Sequence, residues 1–254
     1  MLRCIDLTLS VPGRVLCRSL SLTFEPGQVW AILGRNGTGK STLIHALAGL
    51  HSPASGRVEL NGAAMSRSSA LARARSMGVL LQLEEGEYWG SAADYVLLGR
   101  YPHAGLWTGY TPDDLAAARG ALDAVGMNDL AAHAYATLSG GERQRVRIAQ
   151  ILAQDPRVLL LDEPLQHLDL AHQAQVVSLI ATRARERRDT ALMVLHEPLW
   201  IGRACTHALI LSGDGGAEAG PADVVLTRER LEQAYGCRLH EVVHGAGRSF
   251  VPAV

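Results

Sequence analysis

Lysine is almost missing from this sequence: arginine supplies nearly all the positive charge, and Lys40 is the only lysine. A compact ammonium suits a spot that a planar guanidinium does not fit, so the exception marks position 40 for a specific contact. No sign of charge dominates, since the formal net charge is −1. That excludes a strongly basic nucleic-acid footprint, and no nucleic-acid partner is expected. The four cysteines, Cys4, Cys17, Cys205 and Cys237, form no C-x-x-C pair and have no metal-ligand spacing. Reduced thiols are expected rather than a disulfide framework. No stretch reaches the ~20 consecutive apolar residues that span a bilayer. The first residues include Asp6 and lack the apolar region of a signal peptide, so no leader is expected. Any membrane role must then come through a partner. Internal repeats, low-complexity tracts and a domain boundary are also missing. A chain of 254 residues has enough length to bury a full core.

Four apolar runs have the length of buried strands, and each leads into a residue able to do chemistry. Residues 29–33 lead into Gly34, 78–81 into Gln82, 158–161 into Asp162 and Glu163, and 191–195 into His196. Continuous rather than alternating apolar runs suit parallel strands covered on both faces. Ligands bind at the carboxyl ends of such strands, so these four ends describe one site. Between the second and third runs lies a helical insert. Thr111-Pro112-Asp113-Asp114 has the form of an N-cap, Ala-rich sequence continues to Val125, and Gly126 is a C-terminal cap. Ser139-x-x-Glu142 has the form of a capping box, which predicts another helix. A third helix follows Asp169 and ends near the arginines at 183–188, read as a solvated end with no partner. Glycine-rich residues 212–216 are read as a turn between strands.

Gly34 to Ser41 fit G-x-x-x-x-G-K-[ST] between a strand and a helical pattern, the context of a P-loop. Glycines there let backbone N–H groups curl around phosphates, and the helix N-terminus adds its positive end. Gly34, Asn36, Gly37, Gly39, Lys40, Ser41 and Thr42 are the nucleotide-binding candidates. Lys40 is expected on the β/γ oxygens and Ser41 on Mg²⁺. Asp162, at the end of an apolar run, is the second candidate for Mg²⁺. Glu163 is placed to polarise an attacking water.

Leu138-Ser139-Gly140-Gly141-Glu142-Arg143-Gln144 matches the signature motif of ABC ATPases. It stands between the P-loop and the Asp162-Glu163-Pro164 run, the order that family uses. His167-Leu168-Asp169 resembles their D-loop, Gln82 their Q-loop glutamine and His196 their switch histidine. The resemblance covers nearly the whole chain. It implies an α/β P-loop NTPase (RecA-like) fold: a mainly parallel core sheet, an antiparallel β subdomain and an inserted helical subdomain carrying the signature. The approximate divisions are 1–82 and 155–212 for the nucleotide-binding core, 83–154 for the helical part and 213–254 for a C-terminal extension.

The resemblance further implies ATP hydrolysis with Mg²⁺, with Glu163, His196, Gln82 and Lys40 catalytic and Ser41, Gln82 and Asp162 holding the metal. Two copies would pack head to tail, so that Ser139, Gly140, Gly141 and Asp169 of one complete the nucleotide site of the other. Leu97 to His103 and the tail from Val225 to Gly236 look like ATPases of iron-chelate (siderophore, haem) and cobalamin importers. That implies two integral-membrane permease subunits, an extracytoplasmic binding protein reached through them, and a peripheral place on the cytoplasmic face of the inner membrane. Residues 83–89 would face the permease, with Glu84, Glu85, Glu87, Tyr88 and Trp89 as anchors.

The sequence departs from the family at several points. Where most members stack an aromatic ring on adenine, Ser10-Val11-Pro12-Gly13 offers none; weaker base selection is expected, with Arg14 as a substitute platform. Leu165-Gln166 stands in place of the usual Thr-Asn or Thr-Ser, and Glu197-Pro198 follows His196 in place of Asp-Leu. His240-Glu241-Val242-Val243-His244 spells the zinc-protease pattern H-E-x-x-H. That chemistry needs a helix, and the paired valines favour a strand. Two other functions stay open at this stage: an export ATPase, and a soluble ABC protein of repair, translation or cofactor assembly. The single motif set argues against tandem translation factors, and the lack of a long heptad insertion against repair proteins.

Overall fold

The structure, a computed structural model, describes residues 1–82, 88–105, 109–195, 198–244 and 247–253. Strands β1 (Leu2–Val11) and β2 (Arg14–Phe24) form an opening hairpin. Strand β3 (Val29–Leu33) enters the core and leads through residues 34–39 into helix α1 (Lys40–Leu47). Strands β4 (Ser55–Leu60) and β5 (Ala63–Ala64) extend the first hairpin, and α2 (Ala70–Ser76) precedes core strand β6 (Met77–Leu80). A helical layer follows, made of α3 (Ala92–Leu97), α4 (Pro112–Ala124) and α5 (Gly140–Gln154). The chain returns to the core with β7 (Val158–Asp162), α6 (Leu170–Arg187), β8 (Thr190–Val194), α7 (Pro198–Ala204) and β9 (His207–Leu211). Strand β10 (Ala217–Pro221), helices α8 (Ala222–Val225) and α9 (Arg228–Tyr235), and the hairpin β11 (Leu239–His244) with β12 (Gly247–Pro252) complete it.

The core sheet has the order β10-β9-β3-β8-β7-β6, parallel except for β10 at one edge. Strands β3, β7 and β8 are buried at every residue, which is why their sequences run apolar without alternation. Side chains still alternate between faces. Val29, Ala31 and Leu33 join the core under the helices, while Trp30 and Ile32 join a second core shared with β1, β2 and α1. The second sheet, β2-β1-β4-β5, is antiparallel throughout. An α/β architecture with a parallel-rich core, an antiparallel sheet and an inserted helical layer is therefore what the molecule has. The register aligns the strand ends: Ile32 pairs with Val194, Asp162 with Val194, and Leu80 with Leu161. Residues 34, 162 and 82 leave the sheet along one rim.

The helices begin where the caps predict. Thr111 and Asp114 form a reciprocal capping box at α4, and Ser139 and Glu142 form one at α5. Gly99 is required by a close approach, because a β-carbon there would lie 2.1 Å from the Gln150 carbonyl oxygen of α5. Its neighbour Arg100 is drawn inward, donating from Nε to Asp114 Oδ1 at 2.8 Å and from Nη1 to the Ala153 carbonyl at 2.8 Å. Residues 97–103 thus dock α3 onto α4 and α5.

At the end of α6, Arg185, Arg187 and Arg188 are exposed, as a solvated end implies, but Arg183 is drawn inward and Arg183 and Arg187 have ion-pair partners. Arg183 is only 11% exposed and pairs with Asp189 at 3.0 Å, while Arg187 pairs with Asp155 at 2.6 Å. Asp189 is fully buried, and its carboxylate needs these partners to be out of water. Asp155 follows the end of α5 and Asp189 lies just past the end of α6, so spacing within the α6 pattern could not reveal either as a partner. The H-E-x-x-H residues lie on strand β11, as the valines imply. All four cysteines are free. No helix among the described residues is long and apolar enough to cross a membrane.

Candidate functional site

The loop from Gly34 to Gly39 folds around its own lysine. Gly34 has φ 140°, and a β-carbon there would sit 2.5 Å from the Leu211 carbonyl oxygen, so only glycine lets β3 turn this closely past β9. Lys40 opens α1, and its Nζ donates to the carbonyls of Gly34 at 2.8 Å and Arg35 at 3.0 Å. The residue is 6% exposed. Burial pulls its pKa below the ordinary lysine value, with Glu163 and Asp162 opposing that shift. A cleft of about 650 Å³ opens over the loop. Asn36, Gly37, Gly39, Lys40, Ser41 and Thr42 line it together with Gln82 and Glu163. Gly34 lies beneath, as a bond partner of Lys40.

Asp162 is the unusual group of the site. It is 1% exposed, and neither carboxylate oxygen has a hydrogen-bond partner among the described residues. Burial raises its pKa from the ordinary aspartate value, while the Ser41 hydroxyl and the charge of Lys40 pull the other way. Buried acceptors without donors are costly, and a hard divalent cation satisfies them well. With the Ser41 hydroxyl and the Gln82 amide oxygen on the same cleft, the oxygen donors present fit Mg²⁺.

Glu163 lines this cleft and also a second one of about 240 Å³, shared with His167, Gln173 and Leu195. Its backbone is left-handed at φ 52°, and so is that of His167 at φ 64°. Two non-glycine residues in that region within one short turn store strain of roughly 1–3 kcal/mol each. The turn is held by Gln144 of α5, whose Nε2 donates to the carbonyls of Glu163 at 3.3 Å and Pro164 at 3.0 Å. Arg147, one turn further, donates to Gln144 Oε1 at 3.0 Å and to the Leu81 carbonyl, beside Gln82.

Ser139 caps α5, where Gly140 is exposed and Gly141 half-buried, and Asp169 caps α6, accepting from His172 N at 2.9 Å. None of these four lines the cleft over Lys40 in the single chain. Instead Gly141 lies close to the backbone of His167, whose oxygen would be 2.8 Å from a β-carbon there.

The family model described as ABC transporter matches residues 17–166, more than half of the sequence. The chain belongs to the ABC transporter family. This ABC ATPase is 39% identical to the hemin import ATP-binding protein of Burkholderia thailandensis, covering 100% of this chain and 99% of the relative. It is 37% identical to the ferric enterobactin transport ATP-binding protein of Escherichia coli K12, over 93% of this chain and 88% of the relative. Its fold matches a chain of a transporter described as of the metal-chelate ABC type, solved in an inward-facing conformation. The TM-score there is 0.85 at 28% identity, covering 100% of this chain and 97% of that one.

Within this ABC ATPase, the P-loop residues, Gln82 and Glu163 come together in one cleft, with Asp162 buried behind it. His196 lies outside the described residues, as do Leu83, Glu84, Glu85 and Glu87. Tyr88 packs edge-on to Tyr95 and Tyr135, with centroids 5.2 and 5.9 Å away, while Trp89 is 83% exposed. Sequence reasoning missed Gln144 and Arg147. Their spacing of three on a capped helix puts them on one face, but nothing in it says which backbone they reach.

Proposed function

We propose that this chain is the ATP-hydrolysing subunit of a membrane ABC importer for ferric siderophores or haem, or for cobalamin. The observation that carries the nucleotide chemistry is the buried Asp162 carboxylate, without a hydrogen-bond partner among the described residues, beside a P-loop that holds the sole lysine. The full-length likeness to hemin and ferric-enterobactin import proteins supports the cargo class.

In this reading the backbone N–H groups of residues 34–42, including those of Asn36, Gly37, Gly39 and Thr42, cradle the triphosphate, and Lys40 turns from the Gly34 carbonyl to the β/γ oxygens. Ser41, Gln82 and Asp162 would hold Mg²⁺, which supplies charge neutralisation on those oxygens. Glu163 accepts a proton from the water that attacks the γ-phosphorus as the bond to the bridging oxygen breaks. His196 follows β8 in the chain and is assigned to the γ-phosphate side. Ser139, Gly140 and Asp169 are exposed and Gly141 is half-buried beside them; the place of all four is at the nucleotide held by a second copy packed head to tail. Closure then assembles two sites, and hydrolysis releases them.

The partners are a second copy and two integral-membrane permease subunits, with an extracytoplasmic binding protein acting through the permease. The chain sits on the cytoplasmic face of the inner membrane. Exposed Trp89 is suited to anchor a permease contact. The test is uptake of labelled haem, ferric siderophores and cobalamin by cells lacking the chain, each complemented with wild type or Glu163→Gln. Rescue of one cargo by wild type alone is expected. No deficit for any cargo overturns the importer reading.

A further inference from the structure

Glu163 shares both clefts of the site with one other residue. Among the described residues, Gln166 alone also lines the cleft over Lys40 and the smaller one beside His167 and Gln173. The two stand three apart on one turn, and Gln166 N donates to the Glu163 carbonyl at 3.2 Å. Leu168 N donates to the Leu165 carbonyl at 3.3 Å, and Gln144 holds the carbonyls of Glu163 and Pro164. These bonds fix the backbone from which the Gln166 side chain departs. Leu165 packs against the core under the helices, whereas Gln166 is exposed. Its amide makes no hydrogen bond among the described residues.

A water that attacks phosphorus has to aim a lone pair in line with the bond that breaks. An ionised Glu163 only accepts, and it takes one of the two water protons. A single contact of that kind leaves the water free to rotate about it. A carboxamide beside the carboxylate adds an acceptor and two donors without adding charge. A second carboxylate in its place would meet repulsion from Glu163 and from the phosphates. The neutral group is therefore the one suited to share a water with the base.

We propose that Gln166 is a further catalytic residue: its amide oxygen accepts a hydrogen bond from the second O–H of the attacking water while Glu163 takes the first proton. Two side chains of one turn then orient a single water. The proposal rests on the reading of Glu163 as the base and adds the residue that aims the nucleophile. Position 166 is one at which the sequence departs from the family pattern, so the role belongs to this chain.

The test is hydrolysis of γ-labelled ATP by wild type, Gln166→Met, Glu163→Gln and the double variant, beside equilibrium ATP binding. Methionine keeps the length of the side chain and removes the amide. Gln166→Met is expected to lower kcat by about ten- to a hundredfold, with KM and ATP affinity within about twofold of wild type. In the Glu163→Gln background the same change is expected to cost less than about twofold, because both groups act on one water. A loss of equal size in the two backgrounds is what a separate structural brace would give, and it overturns the proposal. So does an unchanged kcat. A loss carried by KM or by ATP affinity overturns it too, since Gln166 would then be a contact to nucleotide or to a second copy. Wild-type hydrolysis in Glu163→Gln is a distinct result: it removes the base itself, and this proposal with it.

Discussion

Gln144 Nε2 donates to the Pro164 carbonyl at 3.0 Å, and through that bond the helix that begins at Ser139 holds the turn that carries Glu163. Because Glu163 sits in a left-handed backbone conformation, the turn needs such a hold to stay strained. Gln144→Leu keeps the volume and removes the donors. We expect turnover to fall on the order of ten- to a hundredfold, since a misplaced base loses its alignment. Nucleotide affinity should be nearly unchanged. Steady-state hydrolysis beside equilibrium nucleotide binding checks this, and unimpaired turnover would remove the bridge from the mechanism.

Glu163→Gln replaces the proton acceptor with a group of the same shape. Phosphate release should drop by about 10²–10⁴-fold, the range for loss of a general base. ATP binding and pairing of two copies should persist, visible as a larger species on sizing with ATP present. Full hydrolysis in this variant would return the base role to another residue.

Lys40→Arg preserves charge and should still cost at least about tenfold in nucleotide affinity, because a planar guanidinium does not fit between the Gly34 and Arg35 carbonyls. Titration with a fluorescent nucleotide measures this. Wild-type affinity would show that charge alone suffices at this position.

Arg100 and Asp114 give a stability prediction. The Thr111 backbone first, then Arg100, hold the Asp114 carboxyl well down, at about 2 against an ordinary 3.8. A carboxylate whose pKa is lower folded than unfolded contributes fully above the unfolded value and loses its contribution as pH falls through the folded one. That contribution is therefore complete above pH 3.8 and fades toward about pH 2. Arg100→Ala should lower stability at neutral pH by about 3 kcal/mol, since it leaves a buried carboxylate without its cation. It should also reduce the acid sensitivity in that window. Urea denaturation at pH 7 and pH 3 checks both, and an unchanged midpoint at pH 7 would refute the first.

Trp89→Asp should leave hydrolysis by the isolated chain intact and weaken its recovery with membranes containing the permease. Equal recovery of the two forms in a flotation assay would place the contact elsewhere.

Strands β3, β7 and β8 could be read from sequence because burial on both faces makes a strand apolar from end to end. Helices α4, α5 and α6 could be read because a cap is a local signal, written within three or four residues. Lys40, Ser41, Gln82 and Glu163 could be grouped since parallel strands deliver their carboxyl ends to one rim. What stayed hidden was the reach of long polar side chains. Arg183 meets Asp189 across a chain reversal, Gln144 meets a carbonyl twenty residues on, and Arg14 meets one 199 residues away. Such pairings depend on tertiary placement, which neither spacing nor propensity encodes. The expectation of a solvated arginine cluster holds for exposed Arg185 and Arg188 and fails at Arg183 for this reason.

Because Lys40 is the only lysine and its amine lies inside the loop, chemistry directed at lysine side chains has one address in this molecule. A lysine-specific protease has a single target bond, after Lys40, at the first residue of α1. Cleavage there requires the phosphate loop to unwrap. The rate of that one cut therefore reports how often the loop opens, without any label being attached to the protein.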